Sequence, residues 1–183
     1  MKIEDSVETV NTSAKIDIFK YEWEFLSNFY PCEIVWEGIT YASTEHAYQA
    51  AKTLDIEKRR MFGLEDNPRL TAKKAKDMGA NIKKNGELRS DWLKVNIGIM
   101  RELLVLKFEK EELKQKLLST GTAYLEEGNW WEDNFWGVCY GGTEKGFHGI
   151  KCGKWPHVPS GENHLGLLLM AIRATFIPRI QVA

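Results

Sequence analysis

Ser43-Thr44-Glu45-His46-Ala47-Tyr48-Gln49-Ala50-Ala51-Lys52 is the stretch on which the reading of this chain turns. Ser43 or Thr44 can accept a bond from the orphan amides of a first helical turn, so a helix is predicted from Glu45 to about Leu54. Steps of four and then three residues place Glu45, Gln49 and Lys52 on one helical face. A carboxyl, an amide and an amine then meet one ligand. The same spacing also suits a weak exposed ion pair. The rings of Tyr48, Trp92, Trp130, Trp131 and Trp136 favour a site, because they offer the apolar walls and stacking faces of a nucleotide pocket. Packing in the core is their competing use.

Upstream, apolar and polar residues alternate from Ile16 to Tyr21 and from Cys32 to Tyr41, with Glu37-Gly38 where a hairpin turn is wanted. A small antiparallel sheet follows from that pattern. Downstream, a short helix from Ile56 to Phe62 stops ahead of Asn67-Pro68, since the residue before proline favours extended geometry. A third helix is predicted from Thr71 to Met78, ended by Gly79 in the left-handed conformation. Ser90 can cap the longest helix, whose Val95, Ile99, Met100, Leu103, Leu106 and Phe108 form an inward stripe. Another runs from Glu111 to Leu118 and is closed by Gly121. The last starts after Asn163, turns Leu165, Leu168, Leu169 and Ile172 inward, and stops before Pro178. Six glycines and two prolines between Tyr140 and Glu162 read as a long loop, of the kind that serves as a lid or an insertion. The fold class is therefore α+β, a mostly helical single domain with a small antiparallel β-sheet. Residues 1–14 are expected to be a flexible N-terminal tail and 15–183 one domain.

With 183 residues and 43% hydrophobic content, the chain has the material for one core. A net charge of −1 excludes a globally basic nucleic-acid binder, yet charge is segregated. Eleven Lys or Arg face five Asp or Glu between Lys58 and Lys94, whereas seven acids face three bases between Glu109 and Asp133. A solvated helix face explains the basic segment, and so do phosphate contacts. Three widely spaced cysteines, Cys32, Cys139 and Cys152, suit a reducing compartment. No secretory signal or membrane-spanning run is visible, so a cytoplasmic protein without membrane association is expected.

Two further segments bear on chemistry. In Trp130-Trp131-Glu132-Asp133-Asn134-Phe135-Trp136-Gly137, aromatic crowding can desolvate Asp133, or Asp133 simply closes a turn. In Gly161-Glu162-Asn163-His164-Leu165-Gly166, helix-start amides can hold an anion, although a capping Asn needs no ligand. Cys139, His148, Cys152 and His157 lack the paired spacing of a zinc site. Gly149 to Lys154 is one residue short of a phosphate loop, and Trp155 stands where Ser or Thr must reach magnesium.

Taken in order, several segments resemble the YbiA-like or NADAR family. They are Leu26-Ser27-Asn28-Phe29, Tyr41 through Lys52, Ala75-Lys76 with Gly79, Arg89 with Trp92, Lys107-Phe108, Thr120-Gly121, Asp133 with Trp136-Gly137, and 161–166 with Met170 and Arg173. The resemblance implies an α+β domain that cleaves N-glycosidic bonds, either in ribosylamino-pyrimidine intermediates of riboflavin synthesis or between ADP-ribose and guanine, including guanine in DNA. It implies Glu45 and Lys52 as the catalytic pair, the amine forming an imine with the opened sugar. The substrate-binding set it implies comprises Asn28, Phe29, His46, Tyr48, Gln49, Arg89, Trp92, Asp133, Trp136, Gly137 and Asn163. Partners are then an ADP-ribosyl or ribosyl nucleobase, with ADP-ribosylated DNA favoured; no metal or cofactor is required. The chain departs from the family where Asn96 stands at the place of a usual lysine. The loop from Tyr140 to Gly161 also looks enlarged, which bears on substrate preference.

Overall fold

The computed structural model describes residues 14–140 and 159–177. Most of the 140–161 loop, three of the four zinc candidates and the 149–154 segment lie outside them, as do residues 1–13. The chain is an α+β domain built mainly of helices around a single apolar core.

At its centre lies helix α1 (Thr44–Ala50), every residue of which is buried. Ala47, Ala50 and Ala51 are small enough for neighbours to close on all sides. On one side packs α3 (Ala72–Lys84), and on another α4 (Trp92–Phe108). A short α2 (Ile56–Arg60) follows α1, started by Asp55, whose carboxylate accepts from the amides of Glu57 and Lys58. Helix α1 stops at Ala50, short of Leu54, because the next carbonyls are drawn elsewhere. Lys52 O accepts from Arg89 N at 2.9 Å, and Thr53 O accepts from the Arg59 guanidinium at 2.6 Å. The start of α1 is also built differently from a side-chain cap. Ser43 turns its hydroxyl to His46, and the amide of Glu45 donates to the carbonyl of Asn28 at 3.0 Å.

The hairpin is present as expected: β2 (Ile34–Trp36) pairs antiparallel with β3 (Ile39–Tyr41). Glu37 and Gly38 both have positive φ, 47° and 78°, as a tight two-residue turn demands. Residues 16–21 do not join it. Instead β1 (Lys15–Ile16) pairs in parallel with β4 (Tyr124–Leu125), and a 3-10 helix (Tyr21–Leu26) follows. A second parallel pair joins β5 (Gly128–Asn129) to β6 (Val138–Cys139).

Gly79 lies inside α3, which continues to Lys84 and is followed by Gly86 at φ 74°. The glycine is required for approach: a Cβ there would sit 1.8 Å from Gln49 Oε1. Helix α4 begins at Trp92 behind Asp91, without a bond from Ser90, and buries Ile99, Met100, Leu103, Leu104 and Phe108. Helix α5 (Glu111–Ser119) ends ahead of Gly121, which has φ 57°. Helix α6 (His164–Phe176) turns Leu165, Leu169 and Ile172 into the core. Among the described residues, no helix is long and apolar enough to cross a membrane. Cys32 is a buried free thiol.

Candidate active site

Glu45 sits in the first turn of α1 with only 6% of its surface exposed. Its Oε1 accepts from Gln49 Nε2 at 2.8 Å, the four-residue step read from the sequence. Burial pushes its carboxyl above the ordinary range. The Gln49 bond and the charges of Lys76 and Lys52 pull it back, and Asp133 pushes it further up. Lys52 follows α1 in a tight turn, its amide donating to Gln49 O at 3.3 Å, and is half-buried. Burial lowers its amine, Glu45 opposes that, and Lys76 and Lys83 add to it. The site thus holds an acid inclined to keep its proton within electrostatic reach of an amine inclined to lose one.

Aromatic rings form one wall. Tyr48 is buried, packs at 5.1 Å against Trp92 and meets Trp136 edge-on at 5.3 Å. Burial and the Glu45 charge raise the Tyr48 phenol. Trp131 stays half exposed. Trp130 packs on Tyr140 at 6.4 Å.

Asp133 takes the turn role of its two readings: one oxygen accepts from Trp136 N at 2.9 Å and closes the turn, and the same carboxyl acts electrostatically on Glu45. The turn is anchored by fully buried Asn129, which accepts from Trp131 N and Asp133 N and donates to Asp133 O. Phe29 is 41% exposed at the rim, with the Lys76 ammonium over its ring at 5.9 Å. Asn28 is buried, and its side-chain Oδ1 has no partner.

Other members of the substrate-binding set are spent on the scaffold. His46 stands between Ser43 Oγ at 2.7 Å and Leu70 O at 2.9 Å. Since a carbonyl only accepts, Nε2 donates to Leu70 and Nδ1 accepts from Ser43. Burial lowers the imidazole, in keeping with a neutral ring. The Arg89 guanidinium is bidentate to Asp91, at 2.6 and 2.9 Å, so it is through its backbone that Arg89 places Lys52. Asn163, at φ 53°, donates to Leu125 O and Tyr124 OH and accepts from Glu127 N. The amides of His164 and Leu165 donate to Phe135 O and Trp136 O, which leaves no anion hole at the start of α6. Gly137 earns its place by space: a Cβ would lie 2.1 Å from Glu127 O.

Three residues stand outside the site set inferred from the sequence, although Lys76 and Lys107 carry part of the family resemblance. Lys76, on α3, stands over Phe29 and bears on Glu45, Lys52 and Glu127. Lys107 is wholly buried and donates to Ser27 O at 2.7 Å, fixing the loop that carries Asn28 and Phe29; burial lowers its amine to about 7. Burial and then Asp133 push the Glu127 carboxyl up to about 7. Two surface hollows, of about 220 and 300 Å³, include none of the catalytic or binding residues inferred from the sequence. Among the described residues, no group of three or more His, Cys, Asp or Glu is placed to hold a metal.

Comparison with known proteins identifies the family and matches the fold. The chain is 33% identical to N-glycosidase YbiA of Escherichia coli over 148 residues, which is 80% of this chain and 78% of that one. It is 32% identical to N-glycosidase Npun_R5314 of Nostoc punctiforme over 148 residues, 80% and 81% of the two chains. It is also 32% identical to riboflavin biosynthesis protein VVA0006 of Vibrio vulnificus over 156 residues, but spans only 34% of that longer protein. The solution structure of E. coli YbiA superimposes with a TM-score of 0.66 at 31% identity, covering 93% of this chain and 89% of that one. The NADAR domain model matches residues 18–177. By fold and by sequence along most of its length, the chain is a member of the NADAR domain family.

Proposed function

We propose that this chain is an N-glycosidase that removes ADP-ribose from guanine bases, in DNA before other settings, using Glu45 as acid and Lys52 as nucleophile. The observation that carries the reading is the buried Glu45 carboxyl, held by Gln49 and within electrostatic reach of the Lys52 amine. Relatives called N-glycosidases support a hydrolase of N-glycosyl bonds.

In the mechanism, Lys52 Nζ uses its lone pair to attack the anomeric carbon. The bond from that carbon to the base breaks, and the Glu45 carboxyl gives its proton to the leaving nitrogen. Ring opening turns the lysine adduct into an imine. Water then adds to the imine carbon, Lys52 leaves as the amine, and a proton returns to Glu45. The net change is one water consumed, one base and one sugar released. Tyr48, Trp92 and Trp136 keep the reacting atoms against an apolar wall, and burial lowers the Lys52 amine and so favours its nucleophilic form.

A phosphate-bearing ligand is favoured by the lysines on α3. Lys76 and Lys83 both act on Lys52, so the rim facing the nucleophile is positive. Cleavage of a ribosylamino-pyrimidine is the second reading, prompted by the relative named for riboflavin biosynthesis. Binding without turnover is a third; it leaves the Glu45–Lys52 pairing without a use. The experiment is to incubate the purified protein with DNA carrying ADP-ribosylguanine and, separately, with the riboflavin precursor. Release of ADP-ribose from DNA, weakened by added salt, is the expected result. Cleavage of the precursor alone would move the assignment to the small metabolite.

A further inference from the structure

Glu127 is a carboxyl that the catalytic steps above leave idle. It enters the site region between β4 and β5, held at both ends of its peptide unit: its amide donates to Asn163 Oδ1 at 3.1 Å, and its carbonyl accepts from Val138 N at 2.9 Å. Its side chain lies along Gly137, where a Cβ would come within 3.1 Å of Glu127 Cγ. The fold thus fixes the backbone and clears space for the carboxyl. Yet its Oε2 is fully covered and has no hydrogen-bond partner. Neither Lys76 nor Lys107 forms an ion pair with it, although both bear on it electrostatically, as do Glu45 and Asp133. A buried carboxyl oxygen without a partner is costly, and a ligand that supplies the missing bond is one way a fold comes to retain it.

The chemistry of that ligand group follows from what a carboxyl can do: ionised it only accepts a hydrogen bond, and protonated it also gives one. A sugar hydroxyl does both; the exocyclic amine of a base only donates. We propose that Glu127 is a substrate-contacting residue that holds a hydroxyl of the ribose undergoing cleavage, and so selects ribosyl over deoxyribosyl groups. The inference rests on the glycosidase reading for the identity of the ligand, but its test does not need turnover.

Wild type and Glu127→Gln, a change that keeps size and shape, are titrated calorimetrically with ADP-ribose and with analogues in which the 2- or the 3-hydroxyl of the terminal ribose is replaced by hydrogen. The expected result is binding of ADP-ribose weakened by about tenfold or more in the variant, against less than about threefold for the analogue lacking the contacted hydroxyl. Glu127→Asp, which withdraws the carboxyl by one methylene, should show the same selective loss and serves if the amide variant fails to fold. Equal losses on all three ligands, no loss on any, or no binding by wild type overturns the assignment. A wild type that binds with this pattern yet cleaves nothing would sink the glycosidase reading alone. One that cleaves but lacks the pattern would sink the Glu127 role alone.

Discussion

Replacing Gly79 by alanine tests the packing that holds Glu45 in place. In an exposed helix the change would stabilise by about 1 kcal/mol. Here the new Cβ would lie 1.8 Å from Gln49 Oε1, 2.7 Å from its Cδ and 3.0 Å from its Cβ, so the Gln49 amide must swing away. That movement breaks the 2.8 Å bond to Glu45, worth about 1 kcal/mol net, and strains a buried contact at a cost of about 1–3 kcal/mol. A net loss of about 1–3 kcal/mol is expected for Gly79→Ala by urea unfolding, together with a fall in glycosidase activity. The informative step is to repeat the change in a Gln49→Ala background. Only the 3.0 Å contact with Cβ then survives, so the added methyl should cost far less, with a coupling of at least about 1 kcal/mol. If Gly79→Ala costs the same with and without the Gln49 side chain, the reason given for Gly79 is wrong.

Lys107 sets a pH dependence whose sign is fixed. Its amine falls from an ordinary 10.5 to about 7 in the folded chain, so between those values the unfolded chain carries a proton that the folded one lacks. Stability should therefore climb as pH rises through that window, by up to about 1.4 kcal/mol per unit, and be lost again as pH falls toward 7. Lys107→Met removes this slope, so the wild-type minus variant difference from denaturant titrations at several pH values should rise from pH 7 to 10; a flat difference would contradict the buried amine. Asn163→Ala loses three hydrogen bonds and leaves a side chain at φ 53°, so a loss of about 2–4 kcal/mol in unfolding free energy is expected. A change within about 0.5 kcal/mol would show that Asn163 does not tie α6 to Leu125 and Glu127.

Much of this was legible because local rules acted alone. The face shared by Glu45 and Gln49 follows from helical spacing, and the turn at Glu37-Gly38 from the need for two positive φ values. Rules failed where tertiary contacts overrode them. Gly79 looked like a helix end, but its lack of a side chain serves the close approach of α1 and α3. Ser43 looked like a cap, but the Asn28 carbonyl reaches Glu45 N first and frees the hydroxyl for His46. The pairing of Lys15–Ile16 with Tyr124–Leu125 joins two-residue strands distant in sequence, too short to show alternation. Lys107 did leave a signal: it recurs at helical spacing from Met100, Leu103 and Leu104, on the stripe where every neighbour is apolar. Glu127 left none, because Leu125-Glu126-Glu127-Gly128 reads as an ordinary acidic turn and only the fold shows that one Glu127 oxygen is covered without a partner.

The pairing of Glu45 with Lys52 is tested most directly by borohydride reduction during turnover, followed by peptide mass analysis. A reduced sugar adduct on the peptide carrying Lys52 is expected, absent from Lys52→Met and accumulating more slowly in Glu45→Gln. An enzyme that turns over fully in borohydride and yields no adduct at Lys52, or whose Lys52→Met variant retains its rate, would contradict the lysine's role as nucleophile.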